Sequence, residues 1–340
     1  MRKRWFLLLS MLLFVWSVMA NQSLGEWYAR KLYPYISKLL YSISSLVPFS
    51  VGDSFIYCSI AVLLGYIIHA ALLRRELRKS VSHIVEYLAW VYVWFYIAWG
   101  LNYFREELLA RIDKPRVEFS AERFNSFLKA YTDSLNASWS DMESLDISTV
   151  RREVTDGFRR LSPGFHLVIP NEELHSKGML IPSLMSGVGV MGYMGPFFSE
   201  FHINQRLLPV QLPSTYAHEM SHLLGVSSEA EANLCSFLVC TSSSVKEIRF
   251  SGYFSLLPYV ISNAYVALDR DSFEIWRESL TPEVRELYNK KVEYWSSMYN
   301  PLIGDAQELL YNLFLKSNRI SSGTANYSEV ISLLIALDWR

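Results

Sequence analysis

The chain has few charged residues and few cysteines for its length. Charged side chains make up 19% of the 340 residues and the formal net charge is −1, so no basic surface is expected and nucleic acid is excluded as a partner. The three cysteines contain no CxxC pair, which excludes the common cysteine-ligated metal sites. Cys58 lies in a hydrophobic run, and Cys235 and Cys240 are five positions apart on one predicted helix, a poor geometry for a disulfide. The sequence also has no glycine-rich loop followed by a lysine, the pattern typical of a nucleotide-binding site.

Hydrophobic residues, by contrast, make up 51% of the chain and are concentrated in its first hundred positions. Three nearly uncharged runs lie at residues 5–20, 54–73 and 84–104. Their lengths predict helices that cross a lipid bilayer, so we assign residues 1–104 to a membrane region. The first run has two interpretations, a signal peptide that ends at Ala20 or an uncleaved anchor.

Basic residues flank these runs on one side. They are Arg2, Lys3 and Arg4 before the first run, and Arg74, Arg75, Arg78 and Lys79 between the second and the third. By the positive-inside rule both clusters face the cytoplasm. The chain after about Arg105 is therefore expected on the extracytoplasmic side.

Residues 105–340 have the composition of an ordinary globular domain with one core. Apolar periodicity predicts helices at residues 121–135, 148–161, 248–269, 282–299, 305–314 and 330–337. A short strand is predicted at residues 165–169. The expected fold class is α+β and mainly helical, with a small sheet.

Residues 192–204 predict a turn followed by a second strand. The glycines and proline of Gly192–Phe198 favour the turn. Beyond it, Phe201 and Ile203 alternate with three polar residues, Glu200, His202 and Asn204. This alternation predicts a half-buried strand whose polar face, with Glu200 and His202, could line a substrate cleft.

The clearest chemical signal is His218-Glu219-Met220-Ser221-His222. Histidines four positions apart on a helix lie on one face, about one turn from each other, and can bind one metal ion. Glu219 is placed to accept a proton from water at that metal. Pro213 and Ser214 favour a helix start capped by Ser214, and Gly225 favours a left-handed helix end. The alternative interpretation of the motif alone is a pair of hydrogen-bonded core histidines.

A second helix is predicted directly after the motif, capped by Ser227 or Ser228. A catalytic zinc site normally has three protein ligands and one open position. Glu229 and Glu231 in the first turn are the rival third ligands, because residues two apart on a regular helix do not face the same metal. Both acids are also ordinary residues for a helix start, where the dipole favours negative charge.

This arrangement resembles the gluzincin class of metallopeptidases, whose second helix carries a ligand Glu and, four residues later, an Asp or Asn. Glu229 and Asn233 have that spacing. The resemblance implies Zn²⁺ held by His218, His222 and Glu229, with Asn233 orienting a histidine, in a zincin-like domain. The short-spaced class with a third histidine is disfavoured, because position 228 is Ser.

Further stretches extend the resemblance over nearly the whole chain, at residues 47–53, 99–105, 192–204, 229–233 and 249–253, and around Tyr327. With the motif they are similar to an uncharacterised family of bacterial membrane proteins, a domain of unknown function with three hydrophobic N-terminal segments and an extracytoplasmic HExxH domain. The resemblance implies a multi-pass protein of the bacterial inner membrane with its catalytic domain, residues 105–340, on the periplasmic side. It implies no substrate sequence and no oligomeric state.

Together these features predict a membrane-anchored, zinc-dependent metallopeptidase that acts on a peptide or protein, with Glu219 as general base. The zinc and one more donor would stabilise the developing oxyanion. The candidates for that donor or for substrate contacts are Glu200, His202, Arg249, Tyr253 and Tyr327. The alternative is a non-catalytic membrane scaffold or binding module with a structural or degenerate metal site.

The expected orientation can be tested with a reporter enzyme that is active only outside the cytoplasm. Fused after Arg340, it should be active, because both basic clusters retain the preceding loops on the cytoplasmic side. The control is the same reporter fused at Lys79, between the second and third runs, where it should be silent. A stable but silent fusion after Arg340 would refute the orientation.

Overall fold

The computed structural model describes residues 2–73, 76–118, 120–142, 145–323, 325 and 329–339. It is mainly helical, with one small sheet. The chain forms two compact units. The first comprises Met1–Glu106 with Met194–Glu200, and the second comprises Glu107–Tyr193 with Phe201–Arg340.

The first unit is built from helices. They are α1 (Arg2–Ala20), α2 (Gln22–Trp27), a π-helical turn (Tyr28–Leu32), α3 (Tyr33–Ser44), α4 (Val51–Leu72), α5 (Leu77–Ala98) and a 3₁₀ turn (Gly100–Phe104). Three of them, α1, α4 and α5, are long and apolar enough to cross a membrane, as the sequence predicted. The predicted limits of the third run, 84–104, are wrong at both ends. The helix begins earlier and stops at Ala98, and the 3₁₀ turn follows it.

Buried charges in the first unit are paired. Glu86, the acid within α5, binds the guanidinium of Arg4 on α1. Arg105 donates to Glu26 through Nε (3.1 Å to Oε2) and Nη2 (3.0 Å to Oε1), a two-pronged contact between side chains that are both almost fully buried. Such pairing is what makes a buried charge tolerable, because an isolated one would lose its hydration without compensation.

Glu200, a predicted cleft residue, is also buried in the first unit. Its carboxylate accepts hydrogen bonds from the backbone amides of Val51 (3.1 Å) and Gly52 (2.7 Å), in the first turn of α4. These amides have no partner within the helix, and a negative charge there also complements the helix dipole. In the structure Glu200 therefore caps an apolar helix.

The remaining elements belong to the second unit, except their residues Met194, Gly195 and Glu200, which belong to the first. These elements are α6 (Leu108–Arg111), α7 (Ala121–Ser138), α8 (Ile147–Phe165), β1 (Lys177–Gly178), α9 (Pro182–Gly187), β2 (Gly192–Gly195), β3 (Glu200–Ile203), a 3₁₀ turn (Pro209–Gln211), α10 (Leu212–Leu223), α11 (Glu229–Thr241), α12 (Lys246–Ala267), α13 (Arg270–Ser279), α14 (Pro282–Met298), α15 (Pro301–Ser317) and α16 (Val330–Ala336). Each helix predicted for this region is present. The core lies among α7, α11, α12 and α16, around Phe127, Phe237 and Phe250.

The sheet has the order β1-β3-β2. β1 is parallel to β3, with Lys177 opposite His202 and Gly178 opposite Ile203. The predicted half-burial of the second strand is wrong, because all four residues of β3 are buried. β3 is the central strand, so both of its edges are paired, and the burial of all four residues leaves neither face open to solvent. Part of the predicted turn at 192–198 is also wrong, since Gly192–Gly195 forms the strand β2.

The strand predicted at 165–169 is absent. Instead α8 continues through Pro163 to Phe165 and ends at His166, which adopts a left-handed backbone with φ of 53°. The residues that follow run in an irregular path, tied to the end of α10 by a 3.0 Å hydrogen bond from Val168 N to Leu224 O. The short apolar run that indicated a strand thus covers the end of a helix and the turn after it.

A buried ion pair fixes the start of α11 in the second unit. Glu231 accepts hydrogen bonds from the guanidinium of Arg111 and from the backbone N of Leu108, at 2.8 Å. Both side chains are buried. Removing one partner would leave an uncompensated charge in the interior.

We therefore expect Arg111→Met to lower the free energy of unfolding by about 3–5 kcal/mol. The double variant Arg111→Met with Glu231→Gln should recover part of this loss, because Gln removes the stranded charge and still accepts from Leu108. Chemical unfolding of the purified full-length protein in detergent measures both. An Arg111→Met protein as stable as the wild type would contradict the expectation.

Candidate metal centre

The helix that carries the HExxH motif begins earlier than its sequence predicts. A 3₁₀ turn leads directly into α10 at Leu212, and the Ser214 hydroxyl donates to Gln211 O at 3.2 Å within the first turn. The prediction that Ser214 caps the helix is therefore wrong. The predicted left-handed end is confirmed, since Gly225 has a φ of 99°. The tight reversal is held by a 3.1 Å bond from Val226 N to Ser221 O.

The next helix starts four residues after Gly225. Ser228 caps α11, and its hydroxyl accepts from Glu231 N at 3.3 Å, which confirms one of the two predicted caps. The short turn returns the first residue of α11 to the histidine face of α10. The structure thus brings Glu229 together with His218 and His222.

Three ligand atoms converge at this point. His218 Nε2 lies 3.1 Å from His222 Nε2 and 3.1 Å from Glu229 Oε2. The distance from His222 Nε2 to Glu229 Oε2 is 3.4 Å. Two atoms that each lie about 2.1 Å from a tetrahedral zinc ion are about 3.4 Å apart, so this spacing matches a zinc site.

The outer nitrogen of each ring is already engaged. His218 Nδ1 lies 2.9 Å from Asn233 Oδ1, and His222 Nδ1 lies 2.8 Å from Val226 O. Both partners are acceptors, so each Nδ1 carries the proton and each Nε2 presents a lone pair. Asn233 also hydrogen-bonds Tyr259, a partly buried residue of α12. These contacts fix the tautomer that binds a metal through Nε2.

The cluster consequently brings two lone pairs and a carboxylate oxygen together and demands a positive charge. Burial disfavours the charged form of His222, but the nearby Glu229 carboxylate outweighs burial and raises the pKa of His222 to about 9. Burial likewise disfavours the Glu229 carboxylate, yet His222 and His218 hold the pKa of Glu229 well below its usual range. A proton on His222 meets the demand for positive charge when no metal is bound. Two neutral imidazoles and one carboxylate fit a divalent zinc ion equally well.

Glu219 is buried beside the cluster on the same helix. Burial raises the pKa of Glu219 to about 7, against the opposing effect of His218 and His222. A carboxyl group with this pKa both takes up and releases a proton near neutral pH. Gly192 at the start of β2 lies against it, and a Cβ atom there would be 2.5 Å from Glu219 Cγ. Glycine at this position thus leaves the room that the Glu219 side chain occupies.

The rival ligand Glu231 faces elsewhere. It lies two residues beyond Glu229 on α11, and its carboxylate is bound by Arg111 and Leu108 N. Among the described residues, the group able to hold a metal consists of His218, His222 and Glu229.

The other candidate residues have different surroundings in the structure. His202 is buried in β3 and stacks on Tyr193, with ring centroids 4.5 Å apart. Arg249 donates to the carbonyls of Ser243 (2.9 Å) and Ser244 (2.8 Å). Tyr253 packs edge-on against the core residue Phe237. Tyr327 lies outside the described residues, and Glu200 belongs to the first unit.

One residue of the site has no counterpart in the sequence prediction. Tyr311 on α15 donates its hydroxyl hydrogen to Glu229 Oε1. The two residues are 82 positions apart, and no local pattern around Tyr311 connects it with the motif. Only the fold reveals this contact.

The geometry predicts that metal binding depends on the Glu229 carboxylate and not on that of Glu219. Purified wild-type protein should bind one equivalent of Zn²⁺, and Glu229→Gln should lose it, because a neutral amide replaces the anionic ligand. Glu219→Gln is the matched control and should retain the metal, since Glu219 is not one of the three converging groups. The zinc content of each protein after dialysis, measured by mass spectrometry, tests this expectation. A Glu229→Gln variant with wild-type zinc content would exclude this ligand set.

Comparison with known proteins gives a family for the chain. Residues 28–335 match the family model DUF3810, described as a protein of unknown function. Searches of curated proteins and of solved structures found no match. The match covers most of the chain, including parts of both units and the three candidate ligands. The protein is therefore a member of the DUF3810 family.

Proposed function

We propose that this protein is a membrane-anchored, zinc-dependent metallopeptidase with a zincin-like domain of gluzincin type. One observation carries the proposal. The Nε2 atoms of His218 and His222 and Oε2 of Glu229 converge within 3.1–3.4 Å, with the buried Glu219 next to the first histidine. This is a set of three protein donors with a carboxyl group at its side, the composition of a hydrolytic zinc site.

The number of donors favours catalysis over a structural role. Structural zinc sites have four protein ligands, whereas catalytic sites have three and leave a position for water or substrate. The described residues supply three. Glu219 adjoins the three donors without being one of them, which suits a group that handles protons.

In the proposed peptide hydrolysis, each residue of the site has a separate role. A bound zinc ion would supply Lewis acidity, which polarises a carbonyl and makes water a better nucleophile. Glu219 accepts the proton of the attacking water on a carboxylate oxygen and then donates it to the leaving amine. Asn233 and the Val226 carbonyl hold the two imidazoles in their binding tautomer throughout. The tight burial around Glu219 excludes competing water from that carboxylate.

The small sheet supports a peptide as the substrate class. β2 is an edge strand of the described sheet, and its first residue, Gly192, touches Glu219. An extended peptide can pair with such an edge through backbone hydrogen bonds. This pairing would place a scissile bond near the carboxylate without requiring a particular side chain.

The membrane helices and the basic clusters support an extracytoplasmic location in the inner membrane of a bacterium. α1, α4 and α5 each meet the length and apolarity of a span. The charge asymmetry of the sequence then directs residues 105–340 away from the cytoplasm. The substrates in this proposal are peptides or proteins of that compartment.

The proposal predicts the effect of Glu219→Gln. Zinc-loaded wild-type protein in detergent should cleave members of an unstructured peptide library, detected by mass spectrometry of new termini. Glu219→Gln should keep its zinc and lose about 10²–10⁴-fold in kcat, because the general base is gone.

Glu172→Gln is the matched control, since the Glu172 side chain is 84% exposed and pairs with Arg159 at the surface. It should cleave like the wild type. Equal cleavage by wild-type and Glu219→Gln proteins would refute the mechanism. A zinc-loaded wild type that cleaves nothing in the library would favour a non-catalytic scaffold.

A further inference from the structure

The two oxygens of the Glu229 carboxylate have different partners. Oε2 faces the histidines, 3.1 Å from His218 Nε2 and 3.4 Å from His222 Nε2. Oε1 accepts the hydrogen bond of the Tyr311 hydroxyl. The carboxylate is buried, so a hydrogen bond to its charge is strong and not weakened by water.

Tyr311 is held by its helix. α15 turns Gly304 and Leu315 inward, where both are buried, and turns Leu302, Leu310 and Leu313 outward. The Tyr311 ring is nearly parallel to that of Phe314, with an interplanar angle of 17°. A tyrosine anchored in this way presents its hydroxyl from a fixed point, and Glu229 must keep Oε1 turned toward it.

We propose that Tyr311 is a positioning residue that makes Glu229 a single-oxygen metal ligand. This inference rests on the proposed zinc site. A carboxylate that is free to rotate can bind a metal through one oxygen or through both. With Oε1 held by Tyr311, only Oε2 is directed at the histidine nitrogens. The position that a second carboxylate oxygen would take is thereby left to water or substrate.

The role is positioning rather than direct contact with substrate. The Tyr311 hydroxyl hydrogen already has an acceptor in Glu229 Oε1, so it acts through the ligand. It is the counterpart, on the carboxylate, of the contacts that Asn233 and Val226 make with the two imidazoles. All three ligands then have a partner that fixes their orientation, and such partners matter for metal affinity.

The test is Tyr311→Phe in the full-length protein, which keeps the ring and removes the hydroxyl. Zinc affinity, measured by competition with a chromophoric chelator, should fall by about 10–100-fold. Cobalt-substituted protein should show weaker visible absorption than the wild type, because a freed Glu229 adds its second oxygen and raises the coordination number. X-ray absorption at the zinc edge should show the additional oxygen directly.

Tyr299→Phe is the matched control. Tyr299, just before α15, also donates its hydroxyl to a carboxylate, Asp305 Oδ1 at 2.9 Å, but in a solvent-exposed contact. It should leave zinc affinity and the cobalt spectrum unchanged. Helical content in excess chelator, measured by circular dichroism, should match the wild type for both variants, which separates an effect on the metal from a loss of the fold.

The outcomes distinguish a failure of this inference from a failure of the proposed function. If Tyr311→Phe binds zinc and cobalt as the wild type does, Tyr311 does not position the ligand and the inference is overturned, while the zinc site stands. A loss of affinity that accompanies a lower helical content in chelator also overturns it, because the hydroxyl then acts on the fold. If the wild type binds no zinc, the proposed function fails and the inference fails with it.

Discussion

The approach of Glu229 to His218 and His222 is the constraint on which the candidate site depends. Three electron-rich groups are held within 3.1–3.4 Å inside a buried helix pair, a separation that only a shared positive charge makes favourable. The neighbouring contacts follow from it. Asn233 and the Val226 carbonyl turn the imidazole lone pairs inward, Tyr311 turns the carboxylate, and Gly192 leaves room for Glu219.

Other buried acidic side chains have different partners from those of Glu229. Glu231 meets Arg111, Glu26 meets Arg105 and Glu86 meets Arg4, so each of these buried acids has its own guanidinium. Glu200 is satisfied by the free amides at the start of α4. Glu229 is instead opposed by two imidazoles that are also candidate metal ligands. An arginine partner is permanently charged, whereas an imidazole is charged only when it is protonated. This difference distinguishes the candidate metal ligand Glu229 from the structural acids of the same fold.

The sequence predicted features whose causes are local. The helices of the second unit, the glycine after α10 and the serine cap of α11 all follow from periodicity and capping. The sequence-based predictions were wrong where the contact that determines the structure joins residues distant in sequence. The burial of β3 depends on packing over its faces, such as that of Phe201 against Tyr216 of α10, and the position of the Glu231 carboxylate depends on Arg111, 120 positions away. The strand predicted at 165–169 failed because α8 passes through Pro163. Tyr311 carries no pattern that single-sequence reasoning could use.

The turn between α10 and α11 also gives the site a particular order of assembly. Its three candidate ligands span His218 to Glu229, which are 11 positions apart in sequence, so bringing them together closes only a short loop. Tyr311 must arrive from 82 positions away, after the intervening helices have packed. In the proposed zinc site, capture of the ion would therefore depend on a local contact, and the orientation of its carboxylate ligand on a distant one. A chain that ends before α15 would keep the three donors but lose the contact that directs Glu229.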